Sequence, residues 1–249
     1  MPPSIDLNCD LGEGCGHDLA IMPWISSANI ACGGHAGDEA SMRETLRLCR
    51  RFGVKAGAHP GHADPGHFGR RELDLPHAEV AQTIDAQLQR LAAIAVEEAV
   101  TLIHVKPHGA LYNQAARDRG LAETIARAVA RFDARLILVG LAGSELPRAG
   151  ERAGLQVAHE AFADRRYLGN GQLAARGTEG AVITDLAAAV QQAISIVQHG
   201  MVTTLEGEAL TLRADTLCLH GDGTHASEFA RALHDALIAA GIAIAREPR

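Results

Sequence analysis

The sequence predicts an α/β fold in which about seven parallel strands close into a barrel with helices outside. Three observations predict it. Short apolar runs alternate with segments of helical period, the pattern of parallel strands joined by right-handed crossovers. Apolar runs repeatedly stop in a knot of Asp, His, Asn, Lys or Glu beside glycine. Such knots follow the first, second, third, fourth, sixth and seventh strands. An open sheet concentrates its site at one switch point, whereas a barrel gathers it from many strand ends.

Each element has a local reason. The first strand is Ile5 to Asn8 and the second Ala28 to Cys32. Asp38 is placed to cap a helix carrying Met42, Leu46 and Cys49, which stops at Gly53. Val54 to Ala58 is the third strand. A Gly/Pro/His-rich loop leads to Pro76, where a helix begins that carries Val80, Ile84, Leu88 and Leu91 at helical spacing. Thr101 to Val105 is the fourth strand. The next helix shows Leu121, Ile125, Val129 and Phe132 on one face. Leu136 to Val139 is the fifth strand, and Ser144 is placed to cap the helix after it. Leu155 to Ala158 is the sixth strand, followed by a long polar loop from Glu160 to Gly180. Asp185 opens a helix with Val190, Ile194 and Val197, ending at Gly200. Residues 201–212 alternate around Glu206-Gly207 and read as an antiparallel hairpin inserted in the barrel. Thr216 to Leu219 is the seventh strand. A last helix carries Phe229, Leu233 and Leu237 and ends at Gly241.

Nothing marks a second domain, so residues 1–249 read as one barrel, long enough to bury a core without staples. Net charge is −7, which argues against a nucleic-acid partner, and aromatics are scarce at 3%. Five cysteines, an odd number without a C-x-x-C pair, read as small buried hydrophobes, with Cys9 and Cys32 near the polar knots. No signal peptide or membrane-length apolar segment is visible, and the cytoplasm is the default expectation. The oligomeric state is left open, a homo-oligomer included.

The knots carry the chemistry. Asp6, Asn8 and Asp10 share one side of the first strand, and Glu13 follows them. Closely set carboxylates push their pKa values apart or hold a cation. A lone histidine is usually structural, but His35 and His59 end neighbouring strands and are candidates for metal ligands or proton carriers. With Asp10 they are the first metal candidates. His62 and His67 are expected at the surface, and His104 in the core. Lys106 ends an apolar strand, where lysine has few structural reasons to be, and is suited to neutralising an oxyanion or phosphoryl group. His108, Tyr112 and Asn113 follow and can orient a ligand. Glu160, Asp164 and Arg165 belong to the long loop, where Arg165 can clamp a carboxylate or phosphate. Arg166 reads better as a surface salt bridge. His220 and Asp222 close the ring, beside Gly221 and Gly223, which permit close backbone approach to an anion. P-loop, G-x-G-x-x-G, H-E-x-x-H and G-x-S-x-G motifs are absent, so a nucleotide would need a nonstandard site.

At these knots the chain resembles the LamB/YcsF family. The matching stretches are IDLNCDLGEG, SSANIACGGHAGD, GAHP followed by FGR, HVKPHGALYNQAA, ILVGLAGSEL, EAFADRRY and CLHGDGTHA. They occur in family order from Ile5 to about Ala243. Departures are small: the loop from His62 to His67 looks variable, Arg166 stands where the family often has Gly, and Ala175 where it often has Pro. The resemblance implies a seven-stranded variant of the TIM (β/α) barrel, glycoside hydrolase/deacetylase-like. It implies ATP-dependent opening of the 5-oxoproline (pyroglutamate) lactam to L-glutamate, with ADP and phosphate, in partnership with 5-oxoprolinase subunits B and C.

A five-membered lactam is a poor electrophile, so its opening needs activation. The economical route phosphorylates the amide oxygen and then attacks the carbon with water. Lys106 and Arg165 are candidates for holding the phosphoryl group. Asp10, Glu13 or Asp222 would be the base, and His35, His59 or His220 the proton donor to the leaving nitrogen. Asp6, Asn8, His108, Tyr112, Asn113, Glu160, Asp164 and Arg165 are candidates for binding substrate. ATP is expected as co-substrate, and a divalent metal is left open. The rival readings are a metal-dependent deacetylase or amidohydrolase acting without ATP, and a noncatalytic ligand-binding subunit.

Overall fold

The computed structural model describes residues 3–220 and 225–245. Seven parallel strands close into a barrel: β1 (Ser4–Leu11), β2 (Ser27–Ala31), β3 (Lys55–His59), β4 (Leu102–Val105), β5 (Ile137–Leu141), β6 (Gln156–Phe162) and β9 (Thr216–His220). They follow one another around the ring in that order, and β9 closes on β1 with Asn8 opposite Cys218 and Asp10 opposite His220. The barrel expected from the many polar strand ends is thus the observed fold.

Side-chain alternation divides each strand between two environments. On β1, Leu7, Cys9 and Leu11 are buried in the apolar layer. Asn8 and Asp10 alternate with them and point into the barrel, where Asn8 Nδ2 donates across the interior to Glu160 at 3.0 Å. Small residues such as Ala28, Ala56 and Ala58 are fully buried, which lets the outer helices approach the strands.

The helices are α1 (Asp18–Ile21), α2 (Glu39–Phe52), α3 (His77–Glu97), α4 (Gly109–Arg117), α5 (Arg119–Phe132), α6 (Glu145–Arg152), α7 (Leu186–His199) and α8 (Ala226–Ala239). Asp38 caps α2 as its position predicts: its carboxylate accepts from Ser41 N, and the Ser41 hydroxyl accepts from Asp38 N, both at 2.8 Å. Gly53 ends α2 at φ 65°, a conformation that favours glycine. Asp185 caps α7 through Ala188 N. Ser144 occupies the capping position of α6, but its hydroxyl makes no capping bond.

Met201–Thr203 (β7) and Ala209–Thr211 (β8) form an antiparallel hairpin outside the ring, and Ala243–Ile244 (β10) adds a short parallel segment beside Ser4 and Ile5. Three features differ from expectation. Helix α4 starts directly from the Lys106–Gly109 knot, with His108 in the capping position and no side-chain cap to announce it. Strand β6 runs on to Phe162, so Glu160 belongs to the barrel and not to a loop. His62, expected exposed, is buried against Gln114 Oε1 at 2.8 Å, whereas His67 is exposed. Among the described residues no helix is long and apolar enough to cross a membrane.

Candidate active site

The C-terminal ends of the strands open into a cavity of about 390 Å³. Its floor is Asp10, His59 and Lys106, and Glu13, His108, Tyr112, Asn113 and Arg165 form its walls. The volume falls in the range of small-molecule sites, roughly 300–1,000 Å³.

Lys106 is the centre of the floor. Its side chain is 3% exposed, and its Nζ lies 2.9 Å from Asp10 Oδ1 and 2.8 Å from Glu160 Oε1. Asn8 Oδ1 and Cys218 Sγ lie within 3.3 Å as well. Burial opposes the ammonium charge, but the anionic neighbours, Asp10 first, outweigh it and hold the pKa well above the usual lysine value. The result is a fixed positive charge under the cavity.

Beside it stand three histidines. His59, at the end of β3, donates from Nδ1 to the Lys106 carbonyl at 2.7 Å. His108 donates from Nε2 to the Phe68 carbonyl at 2.9 Å. Their other nitrogens face each other at 3.0 Å. His35 stacks on His108 with ring centroids 3.6 Å apart, and its Nε2 lies 3.2 Å from Glu13 Oε1. Burial lowers the pKa of His35, and it drives that of His108 well below the usual value with help from the neighbouring imidazoles. These two rings are therefore neutral at pH 7. The donor atoms of Glu13, His35, His59 and His108 all lie within 4.8 Å of one another, so they are the residues placed to hold a metal ion.

Local structure fixes these groups. Asp18 accepts from Gly12 N at 2.9 Å and from the Thr45 hydroxyl, which sets the turn that delivers Glu13. Gln87 of α3 both donates to and accepts from the Gly61 backbone, bracing the loop after His59. Gly69 has φ +61°, and a Cβ there would lie 2.6 Å from the His35 side chain, so only glycine lets this loop close over the imidazole stack.

Arg165 is buried, lines the cavity and donates from Nη2 to the Ala174 carbonyl at 2.6 Å. Among the described residues its Nε is buried without a hydrogen-bond partner. Burial, and then the charge of Arg176, lower its pKa to about 10, which still leaves it cationic at neutral pH. Tyr112 is pushed well above the usual phenol range by burial and then by Glu160, so it is a neutral hydroxyl in the wall.

Several expected site residues lie elsewhere. Asp6 is at the other mouth of the barrel, in a cavity of about 260 Å³, where it pairs with Lys55 at 3.0 Å and accepts from Ser27 and Thr216. Burial raises its pKa, but Lys55 and these hydroxyls leave it lowered overall. Asn8 is committed inside the barrel: Nδ2 donates to Glu160 and Thr216, and Oδ1 accepts from Asn29 and Lys106. Glu160 holds Lys106 from within the barrel and does not line the cavity. Asp164 is half-buried and also outside the lining. Asp10, expected as a metal candidate, is taken up by Lys106 and Asn29, with Oδ2 still 3.3 Å from His59 Nε2. Arg166 turns to Gln192 and the Thr203 carbonyl rather than to a surface carboxylate. Asp222 and the His220 side chain lie outside the described residues.

Sequence reasoning did not single out Arg70, Arg117 and Arg176, which join Arg165 around the cavity. Arg70 was visible in the FGR stretch. Arg117 and Arg176 gave no signal, because an exposed arginine on a helix or loop is ordinary.

A model of the LamB/YcsF family matches residues 5–249. The chain belongs to the LamB/YcsF family. Among its relatives, the 5-oxoprolinase A component of Chloroflexus aggregans is 52% identical over 251 residues, covering 99% of each chain. The 5-oxoprolinase A component of Erwinia tasmaniensis is 50% identical over 238 residues, with 96% of this chain and 97% of that one covered. The crystal structure of a lactam utilization protein from Thermus thermophilus superposes with a TM-score of 0.91 at 45% identity, covering 98% of this chain and 100% of that one. A T48 deacetylase shares the fold alone, with a TM-score of 0.51 at 14% identity over 98% of this chain and 88% of its own. The chain thus shares its barrel fold with that deacetylase.

Proposed function

We propose that this chain is the A component of an ATP-dependent 5-oxoprolinase, opening the lactam of 5-oxoproline to L-glutamate together with subunits B and C. The names of its LamB/YcsF relatives support the substrate. The observation that carries the reading is Lys106, a buried ammonium held by Asp10 and Glu160 at the floor of an arginine-lined cavity.

The chemistry follows from what each group can do. The carboxylate of 5-oxoproline fits Arg165, whose buried Nε has no partner among the described residues. Lys106 lies where a developing negative charge on the lactam oxygen, or a phosphoryl group attached to it, would be stabilised. Transfer of the γ-phosphoryl group from ATP to that oxygen gives ADP and an activated amide carbon. Water adds to the carbon and the ring C–N bond breaks, leaving the free amine and an acyl phosphate; a second water attacks the acyl carbon, and phosphate leaves with the former lactam oxygen. Glu13, His59 and His108 line the same cavity and are placed to take a proton from water and return one to the leaving nitrogen. Asp10 acts through Lys106 and His59, as a positioning residue.

The test is glutamate release from 5-oxoproline labelled with oxygen-18 in the lactam carbonyl, by this chain alone and with subunits B and C, with and without ATP. ATP-dependent release with label in the phosphate is expected, and unlabelled phosphate overturns this route. The Glu13–histidine cluster favours one second reading, amide hydrolysis without ATP; turnover in the ATP-free arm would select it.

A further inference from the structure

The geometry points to a divalent transition-metal site, zinc foremost, formed by Glu13, His35, His59 and His108. A backbone carbonyl can only accept, so the bonds from His59 Nδ1 to Lys106 O and from His108 Nε2 to Phe68 O fix where each ring carries its hydrogen. The remaining ring nitrogens, His59 Nε2 and His108 Nδ1, then face each other at 3.0 Å. Each ring thus turns the nitrogen that is not bound to a carbonyl toward the same small space. A cation there would be bound by both nitrogens after a small rotation of the rings.

The supporting bonds have the form metal sites use. A ligating histidine commonly donates its remote N–H to a backbone carbonyl or carboxylate, which fixes the tautomer and aims the lone pair. His59 and His108 both do this. The remaining donors are at hand, since Glu13 Oε1 lies 3.2 Å from His35 Nε2 and 3.5 Å from His108 Nδ1. Tetrahedral ligands about 2.1 Å from a zinc ion lie about 3.4 Å from one another. The four donor atoms, all within 4.8 Å of each other, need only small rotations to reach that arrangement.

Charge balance agrees. Asp10, Glu13 and Glu160 are three carboxylates, nearly enclosed, in the hydrogen-bonded cluster joined to these imidazoles, and Lys106 is its ammonium. Carboxylates outnumber the ammonium in this cluster, and a divalent cation complements that excess. Three imidazoles and one carboxylate are borderline N/O donors, which suit zinc and its neighbours better than magnesium or calcium. An ion there would border the cavity beside Lys106, where it would lower the pKa of bound water. The four donors bind a cation whatever the substrate is; with an ion in place their donor atoms are occupied, so proton transfer by Glu13, His59 and His108 in the lactam reading belongs to the ion-free chain.

The test reads metal directly, without turnover. Full-length protein stripped with a chelator is titrated with Zn²⁺ by calorimetry, and a second sample is loaded with Co²⁺. One ion per chain is expected, with a visible Co²⁺ spectrum of low coordination number and paramagnetically shifted imidazole signals. His59→Ala and His35→Gln should each weaken binding by more than about 100-fold, beyond what loss of a supporting partner costs. Circular dichroism shows whether each variant is folded, and the imidazole signals of the wild-type Co²⁺ form decide the matter if neither is. Folded wild-type protein that takes up no ion, or folded variants that bind as tightly as wild type, would overturn the site.

Discussion

Lys106 and Glu160 form a buried ion pair at 2.8 Å that spans the interior of the barrel, with the carboxylate fully buried and the lysine side chain 3% exposed. Neither group has water to fall back on. Removing the cation therefore strands two carboxylates, Glu160 and Asp10. Lys106→Met should cost about 3–5 kcal/mol in stability, the usual penalty for breaking a buried pair from one side. Urea unfolding measures it. The double variant Lys106→Met, Glu160→Gln should recover part of that loss without recovering lactam opening. Equal stability of single and double variants would show that the pair is not coupled.

The barrel interior also depends on Gly57. A Cβ at this position would lie 2.1 Å from His104 Nε2, which itself donates to Asn29 Oδ1 at 2.7 Å. Gly57→Ala must push the imidazole off Asn29, with an expected cost of about 1–3 kcal/mol. Because the clash and the imidazole are one feature, Gly57→Ala combined with His104→Ala should destabilise less than the two losses added. Additive values from denaturant curves would place the strain elsewhere.

These two cases show what was legible in the sequence. The strands and the closed ring could be read because parallel barrel strands are apolar runs, and because polar knots sat at so many of their ends. Asp38 and Gly53 marked α2 through side-chain capping and positive φ, both local signals. Helix α4 lacked such a cap and went unseen. Glu160 read as a loop residue because a glutamate inside a barrel makes sense only once Lys106, far away in sequence, is known to meet it. Asp6 shares a strand face with Asp10, but four residues of strand span about 13 Å, enough to send them to opposite mouths. His35 and His59 stood out singly; their convergence with Glu13 and His108 depends on loops shaped by Asp18, Gln87 and Gly69.

His104 predicts a pH dependence. Burial lowers its pKa from 6.5 to about 4. The unfolded chain therefore binds a proton that the folded chain does not, through the window between those values. Stability from this group is full above pH 6.5 and is lost as pH falls toward 4. The loss should be on the order of 3 kcal/mol. His35 and His108 are shifted in the same direction, so the contribution of His104 is read as a difference. His104→Asn should flatten the slope of unfolding free energy against pH in this window. An unchanged slope would mean that His104 is protonated in the folded state.

Arg165 separates binding from catalysis. Its guanidinium lines the cavity, with Nη2 on the Ala174 carbonyl and Nε without a partner among the described residues. A planar fork can hold a carboxylate in two-pronged fashion, and an ammonium cannot. If it grips the carboxylate of 5-oxoproline equally in ground and transition states, Arg165→Lys raises KM and spares kcat. A charged hydrogen bond is worth about 1.5–3 kcal/mol, so the rise should be about 10- to 100-fold. Steady-state kinetics of the assembled enzyme, varying 5-oxoproline at saturating ATP, supply both constants. A fall in kcat at constant KM would instead move Arg165 onto the transferred phosphoryl group, where its charge matters only as the transition state forms.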